Sequence, residues 1–268
     1  STGDGTGLLV LDTNDPMNTQ DNRGVKLTTS AVNGNLPDNK VTAFLEDKNG
    51  EVWIGTARGI ARFLFPRFIV DSQRSSERQS QWLLNEDTSA VSRYLLRDSN
   101  VSAMAVNGAN QKWIGSVNQG LWLLNEEGSA ILKRYTEDNS PLISNNILSI
   151  TVNEESGEVF VATDRGLVSF IDIAQSPKTT MGSLKIYPNP FLYDQHERII
   201  IENLSQATRI RVLDAGGNVV HELQASGGRV QWDGYDSRGR RLSSGVYFLV
   251  AWDVKEGERG VGKVVIIR

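Results

Sequence analysis

The chain has 268 residues, a formal net charge of −4 and no cysteine, so disulfides, zinc–thiolate centres and thiol nucleophiles are excluded. The residues before Thr179 include 22 acidic and 16 basic ones, a net charge of −6, and those from Thr179 on include 10 acidic and 12 basic ones, a net charge of +2. Neither part has the strongly basic character that is typical of nucleic-acid binding. The length holds two medium-sized domains, and no apolar run reaches the roughly 18 residues of a transmembrane helix.

A cassette of short strands recurs three times in the first two thirds of the chain. Each copy opens with an asparagine and a strand of small and apolar residues, and an aromatic residue follows 13 or 14 positions later in a second strand. A glycine turn then leads into a third strand. The copies are Asn39–Ile60, Asn100–Trp122 and Asn146–Val168, and their aromatic residues are Trp53, Trp113 and Phe160.

Repeats of this size with several strands each predict the blades of a β-propeller. We expect the aromatic residues to pack between neighbouring blades. The segment Gly7–Val10 has the pattern of a cassette end, so residues 1–176 are predicted to be a partial propeller of about three blades plus the end of another. Because a propeller needs at least about four blades to close, we expect the chain to be the C-terminal piece of a longer protein.

The cassette resembles the propeller repeats of bacterial two-component regulators. In those repeats a Leu-Pro-x-Asn segment precedes Trp-Ile-Gly-Thr and Gly-Leu, and Leu36–Asn39 and Trp53–Thr56 match this pattern. The third copy departs from it, with Phe160 in place of tryptophan and Ala162 in place of glycine. The resemblance implies that this part of the chain folds as a propeller.

A polar rim is the candidate ligand-binding surface of the propeller. In an up-and-down blade, the loop before the first strand and the loop between the second and third strands lie on one face, and loops on a rigid scaffold often carry function. This rim suits a sugar, an anionic ligand or a protein loop. The alternative, that its side chains only form turns, stays open. The candidate residues are Lys40, Arg58, Asn118, Asn146 and Arg165.

A second strand-rich domain is predicted over residues 184–268, after a linker at 177–183. Short apolar runs alternate there with turns rich in glycine, asparagine and aspartate, which predicts a small antiparallel sandwich. The predicted fold class is therefore all-β, with the C-terminal blades of a β-propeller followed by an antiparallel Ig-like β-sandwich. The runs are Arg198–Asn203, Thr208–Leu213, Val219–Leu223, Val246–Val254 and Gly262–Ile267.

The tail resembles two related families of sandwich domains. Its Tyr187–Pro190, Trp232–Gly234, Ser244–Tyr247 and Lys263–Ile267 segments match the Ig-like domain of flagellar hook-capping proteins and the C-terminal sorting domain of the type IX (Por) secretion system of Bacteroidetes. The Trp232–Gly234 segment is more usual in the hook-capping type, which favours a tail that is retained over one that is cleaved. The resemblance implies that the sorting-motif residues are Tyr187, Pro188, Asn189, Pro190, Gly245, Tyr247 and Lys263.

Regulator-type propellers followed by such a sorting domain resemble subunits of the type IX attachment complex. This resemblance implies a non-enzymatic protein that is exported through the periplasm and works at the cell surface of the outer membrane. The implied partners are the sortase PorU, other subunits of the attachment complex, and the anionic lipopolysaccharide to which cargo is anchored.

No pattern in the chain predicts an enzyme, a cofactor or a metal centre. The two histidines, His196 and His221, do not have metal-ligand spacing, and the nucleophile elbow, phosphate-binding loop and dinucleotide fingerprint are absent. Two other functions stay open. One is a secreted adhesive or sugar-binding cargo propeller with a cleavable sorting tail, and the other is the periplasmic sensor part of a hybrid two-component regulator.

Overall fold

Each predicted cassette forms an antiparallel sheet. A sheet of β1 and β2 comes first, a four-stranded sheet runs from β3 to β6, a second four-stranded sheet from β7 to β10, and a three-stranded sheet from β11 to β13. The strands are β1 (Leu8–Asp12), β2 (Arg23–Leu27), β3 (Val41–Glu46), β4 (Val52–Thr56), β5 (Gly59–Phe63), β6 (Gln81–Trp82), β7 (Val101–Val106), β8 (Lys112–Ser116), β9 (Leu121–Leu124), β10 (Ile131–Tyr135), β11 (Ile147–Asn153), β12 (Glu158–Thr163) and β13 (Gly166–Ile171).

The computed structural model describes residues 5–13, 15, 17, 18, 20–72, 74–87, 90, 92–172, 176–254 and 257–268. The helices within these residues are two short 3₁₀ turns, Pro66–Phe68 and Ser75–Arg78. Over the same residues, no helix has the length and apolar character needed to cross a membrane. The predicted all-β fold class is confirmed.

The chain divides into two compact units. The first holds Ser1–Val106, Asn110–Val152 and Val159–Phe170, and the second holds Asn107–Ala109, Asn153–Glu158 and Ile171–Arg268. The segment 177–183, predicted as a linker, lies in the second unit. Within it, Met181 is buried in the core of that unit, and the Lys178 amide donates a hydrogen bond to the Leu204 carbonyl at 2.8 Å.

Glycine lets neighbouring blades approach closely in the first unit. A Cβ atom on Gly55 would lie 2.6 Å from Cγ1 of Val101 on the next blade, and one on Gly115 would lie 2.5 Å from Cγ2 of Ile147. Real Cβ contacts are never this short, so the glycine of the Trp-Ile-Gly motif is required by the packing of the next inner strand. The Thr42 hydroxyl donates to the Val101 carbonyl at 2.5 Å across the same interface.

The aromatic residues of the first two cassettes are core residues between blades, as the sequence predicts. Trp53 is fully buried with Ile114 and Leu124 of the next blade, and Trp113 is fully buried with Val159 and Val161 of the one after. Phe160 differs, because it is only half-buried. It lies on β12 of the three-stranded sheet, after which the described residues form no further blade.

A buried ion pair joins two blades beside Trp53. Nζ of Lys112 lies 2.9 Å from Oδ2 of Asp47 and 4.7 Å from the Trp53 ring centroid, and both charged side chains are fully buried. Burial alone raises the pKa of Asp47, but the hydrogen bond and charge of Lys112 outweigh it and hold that pKa below its ordinary value. Burial lowers the pKa of Lys112, against the opposing effect of Asp47.

The second unit is a two-sheet sandwich. Its sheets have the strand orders β14-β16-β19 and β15-β21-β20-β17-β18, antiparallel except for the parallel pair β15 and β21. Alternate residues of the strands face a shared core around Trp232, Phe191 and Leu249. The strands are β14 (Lys185–Tyr187), β15 (Phe191–Leu192), β16 (Ile199–Glu202), β17 (Ala207–Leu213), β18 (Val219–Ser226), β19 (Arg229–Trp232), β20 (Gly245–Asp253) and β21 (Arg259–Ile267).

Candidate functional sites on the propeller rim and the sandwich

The candidate rim residues lie in loops at the same end of their blades. The Ala57 amide donates to the carbonyl of Lys40 at 3.0 Å, and the Asp164 amide donates to the carbonyl of Asn146 at 3.4 Å. Each bond ties the loop between the second and third strands to the residue that precedes the first strand. Asn118 occupies the corresponding turn between β8 and β9 and has a positive φ of 71°. Asparagine adopts this left-handed conformation more readily than most residues, so Asn118 has a structural role in its turn.

Two of the three candidate cations of the rim are already paired with acids. Nη2 of Arg58 lies 3.3 Å from Oδ1 of Asp98, and Nη1 of Arg165 lies 3.0 Å from Oε2 of Glu137. All four side chains are at least one third exposed, so each pair is weak and open to competition by a stronger anion. Lys40 is exposed and makes no ion pair with a carboxylate of the described residues.

Tyr187, the first sorting-motif residue, belongs to a network around a buried carboxylate. Its hydroxyl donates to Oε1 of Glu202 at 2.5 Å, Nε of Arg229 donates to the same oxygen at 2.9 Å, and Nζ of Lys185 lies 3.1 Å from Oε2. Burial raises the pKa of Glu202, but the hydrogen bonds from Tyr187, Arg229 and Lys185 outweigh it and lower that pKa to about 2. No pattern in the sequence predicts this network.

Asn189 fastens the start of the sandwich to its last strand. Its side-chain amide donates to the Lys263 carbonyl at 3.1 Å and its side-chain oxygen accepts the Val265 amide at 3.0 Å. The side chain thus bonds β21 as a neighbouring strand would. Pro188 and Pro190 flank it, and the peptide bond before each proline is cis. The two hydrogen bonds of the Asn189 side chain help to position β15 beside β21.

The other sorting-motif residues belong to the pair of strands that ends the chain. Gly245 opens β20 opposite Ile266. Tyr247 is buried in the core, and its hydroxyl donates to the Ser243 carbonyl at 3.0 Å. Lys263 directs an exposed side chain outward from β21, opposite Phe248. Apart from Lys263, the motif is therefore engaged within the sandwich.

The described residues contain no candidate metal-binding site. No group of three or more histidine, cysteine, aspartate or glutamate side chains there is arranged to hold a metal ion. His196 accepts the Leu192 amide on Nδ1 at 3.0 Å, and His221 stacks on Trp232 with ring centroids 5.8 Å apart. Both histidines take part in local packing of the sandwich.

The sequence and the fold are similar to known proteins. The family model described as the two component regulator propeller matches residues 35–58, which contain the Leu36–Asn39 and Trp53–Thr56 segments. The whole chain is similar to PorZ of Porphyromonas gingivalis, an essential bacterial surface component of the type IX secretion system, with 25% identity and a TM-score of 0.71. The match covers 100% of this chain and 36% of PorZ, so the chain spans about a third of that protein.

More distant similarities concern the fold alone. The extracellular domain of the putative one-component system BT4673 from B. thetaiotaomicron matches 99% of this chain and 55% of its own, with 12% identity and a TM-score of 0.45. Dimeric latent PorU from P. gingivalis matches 41% of this chain and 12% of its own, with 14% identity and a TM-score of 0.26. No curated protein has significant sequence similarity to the chain.

These comparisons confirm the predicted resemblance to two-component-regulator propeller repeats and to a component of the type IX secretion system. The resemblance of the tail to a sorting domain stays a prediction.

Proposed function

We propose that the chain belongs to a non-enzymatic, cell-surface subunit of a type IX attachment complex, where it binds anionic lipopolysaccharide, the sortase PorU, or both. The observation that carries this proposal is the similarity of the whole chain to PorZ, a surface component of that system. The match covers 100% of this chain, so the similarity includes both the blades and the sandwich, and this supports the proposal.

The internal contacts of the sorting motif support a sandwich that remains part of the working protein. Tyr187 and Asn189 form hydrogen bonds between strands of the sandwich, and Tyr247 and Phe191 are buried in its core. A segment engaged in this way is a folded domain, which suits a permanent subunit. A cargo protein with a cleavable tail would instead lose this whole domain after export.

Binding to immobilised protein tests the proposal. We expect the chain to retain a purified type IX sortase and purified anionic lipopolysaccharide, and to retain less lipopolysaccharide as ionic strength rises, because charge contributes to the binding. The rim contributes if the Lys40→Gln, Arg58→Gln, Arg165→Gln variant loses lipopolysaccharide, and the rim prediction is wrong if that variant retains as much as the wild type. Retention of neither the sortase nor lipopolysaccharide would contradict the proposed function.

A further inference from the structure

An arginine cluster surrounds a tryptophan on the outer face of the five-stranded sheet. Side chains alternate between the two faces of a strand, and the buried residues Ile210 and Ala251 mark the inner face. Arg209 is directly opposite Trp252 on β20, and Trp252 is directly opposite Arg259 on β21. The indole therefore lies between two arginines as cross-strand neighbours.

A third arginine is held over the same indole. Cζ of Arg211 lies 5.2 Å from the Trp252 ring centroid, and its Nε lies 2.7 Å from Oε1 of Glu222 on β18. The stacking contact holds this guanidinium over the indole, and the exposed ion pair with Glu222 adds a weaker restraint. Preorganised guanidinium groups bind planar or tetrahedral anions with little further ordering.

The cluster has an excess of positive charge. Neither Arg209 nor Arg259 forms an ion pair with a carboxylate in the part of the chain that the structure describes. Among the described residues, three guanidiniums therefore share one ion-paired carboxylate on the outer face, Glu222. Asp253 also borders the cluster, but it is buried and accepts a hydrogen bond from the Ser205 hydroxyl. The rim of the propeller has a smaller excess of positive charge, because acids pair with two of its three candidate cations, Arg58 and Arg165.

A cavity of about 570 Å³ lies beside this cluster. Its size is that of small-molecule sites in proteins. Val219, Val250 and Trp252 supply apolar surface, and Arg211 and Arg259 supply charge at its margin. A ligand that fits must combine an anionic group with a compact body that has both polar and apolar faces. A sugar ring that carries a phosphate or a carboxylate has this combination.

We propose that Arg211 and Arg259 bind the phosphate or carboxylate of an anionic saccharide whose ring occupies the cavity beside Trp252, and that Arg209 adds positive charge next to this site. This proposal rests on the proposed function, from which it takes the class of ligand, an anionic saccharide. It places the binding site for that ligand on the sandwich.

The indole N–H signal of Trp252 in a ¹⁵N-labelled full chain reports on this site. We expect glucose 1-phosphate to shift this signal in a saturable titration, glucuronate to bind more weakly, and neutral glucose to cause no shift. The Arg211→Gln, Arg259→Gln variant should weaken glucose 1-phosphate at least about tenfold. Arg238→Gln, which removes an exposed arginine from a turn of the same unit, is the matched control and should not alter the affinity.

Several outcomes would overturn this proposal. Equal binding of glucose and glucose 1-phosphate would remove the role of the arginines, and so would an unchanged affinity in the double variant with an unchanged fold by circular dichroism. Inorganic phosphate that binds as tightly as glucose 1-phosphate would show an anion site without a saccharide subsite. A hexaglutamate peptide that binds more tightly than the saccharides would identify an acidic protein segment as the ligand.

The same variant separates this inference from the proposed function. If wild-type protein and the Arg211→Gln, Arg259→Gln variant retain lipopolysaccharide equally, the site is wrong and the function stands. If wild-type protein binds glucose 1-phosphate but retains neither lipopolysaccharide nor sortase, the function is wrong and the site stands.

Discussion

Glu202 should make the stability of the sandwich depend on pH below 4.5. Its pKa falls from an ordinary 4.5 to about 2 in the folded chain, because Tyr187, Arg229 and Lys185 bond the ionised form more than burial disfavours it. At about 1.4 kcal/mol for each pKa unit, this corresponds to roughly 3 kcal/mol of stability. A depressed pKa stabilises the fold above the unfolded value, so the contribution is present above pH 4.5 and is lost as pH falls towards 2.

Urea unfolding at a series of pH values measures this contribution. The resolved amide signals of β16 and β19 in a ¹⁵N-labelled full chain report the sandwich alone. Between pH 5.5 and 2, the wild type should lose roughly 3 kcal/mol more unfolding free energy than Glu202→Gln. At pH 7 the variant should be less stable, because Arg229 is left with a neutral partner.

Glu197→Gln is the matched control, since Glu197 is an exposed carboxylate of the same unit. It should keep the pH dependence of the wild type. If the wild type and the Glu202→Gln variant lose equal stability between pH 5.5 and 2, the network does not favour the ionised carboxylate and this prediction is wrong.

Three further substitutions test individual contacts. Asn189→Ala removes two hydrogen bonds to β21 and should lower the free energy of unfolding by roughly 1–2 kcal/mol. The Val265 amide should then exchange faster with solvent, and an unchanged exchange rate would contradict the role of Asn189. Gly128→Ala places a Cβ 2.4 Å from Cη2 of Trp53 at a φ of +68° and should destabilise the blades by roughly 1–3 kcal/mol in urea, and a neutral result would show that the turn relaxes. Lys112→Met should lower the free energy of unfolding by roughly 3–5 kcal/mol, because it leaves the buried charge of Asp47 unpaired. Adding Asp47→Asn should recover part of this stability, and no recovery would mean that the buried charge does not cause the loss.

The repeats of the propeller were predictable because each copy carries its own local signal. The position of Trp53 and Trp113 in the cassette predicts their burial between blades, and the structure has them there. Phe160 has the same position in its cassette but is half-buried, because burial depends on the blade that follows and not on the cassette itself.

Long-range contacts of the sandwich were not predictable in the same way. Glu202 and Arg229 are 27 positions apart, and only the pairing of β16 with β19 brings them together. Asn189 was recognised through its motif, but its partners on β21 are 74 and 76 positions away. The cluster around Trp252 depends on the register of three strands, and its arginines have no distinctive spacing in the sequence.

In the function that we propose, the propeller and the sandwich work together at the cell surface as a permanent subunit. Mass spectrometry of the protein released from the surface of intact cells tests this claim most directly. We expect peptides from residues 184–268 in the same abundance as peptides from the blades. Surface protein that has lost all residues after about 183 would contradict it and would favour a cargo protein with a cleaved tail.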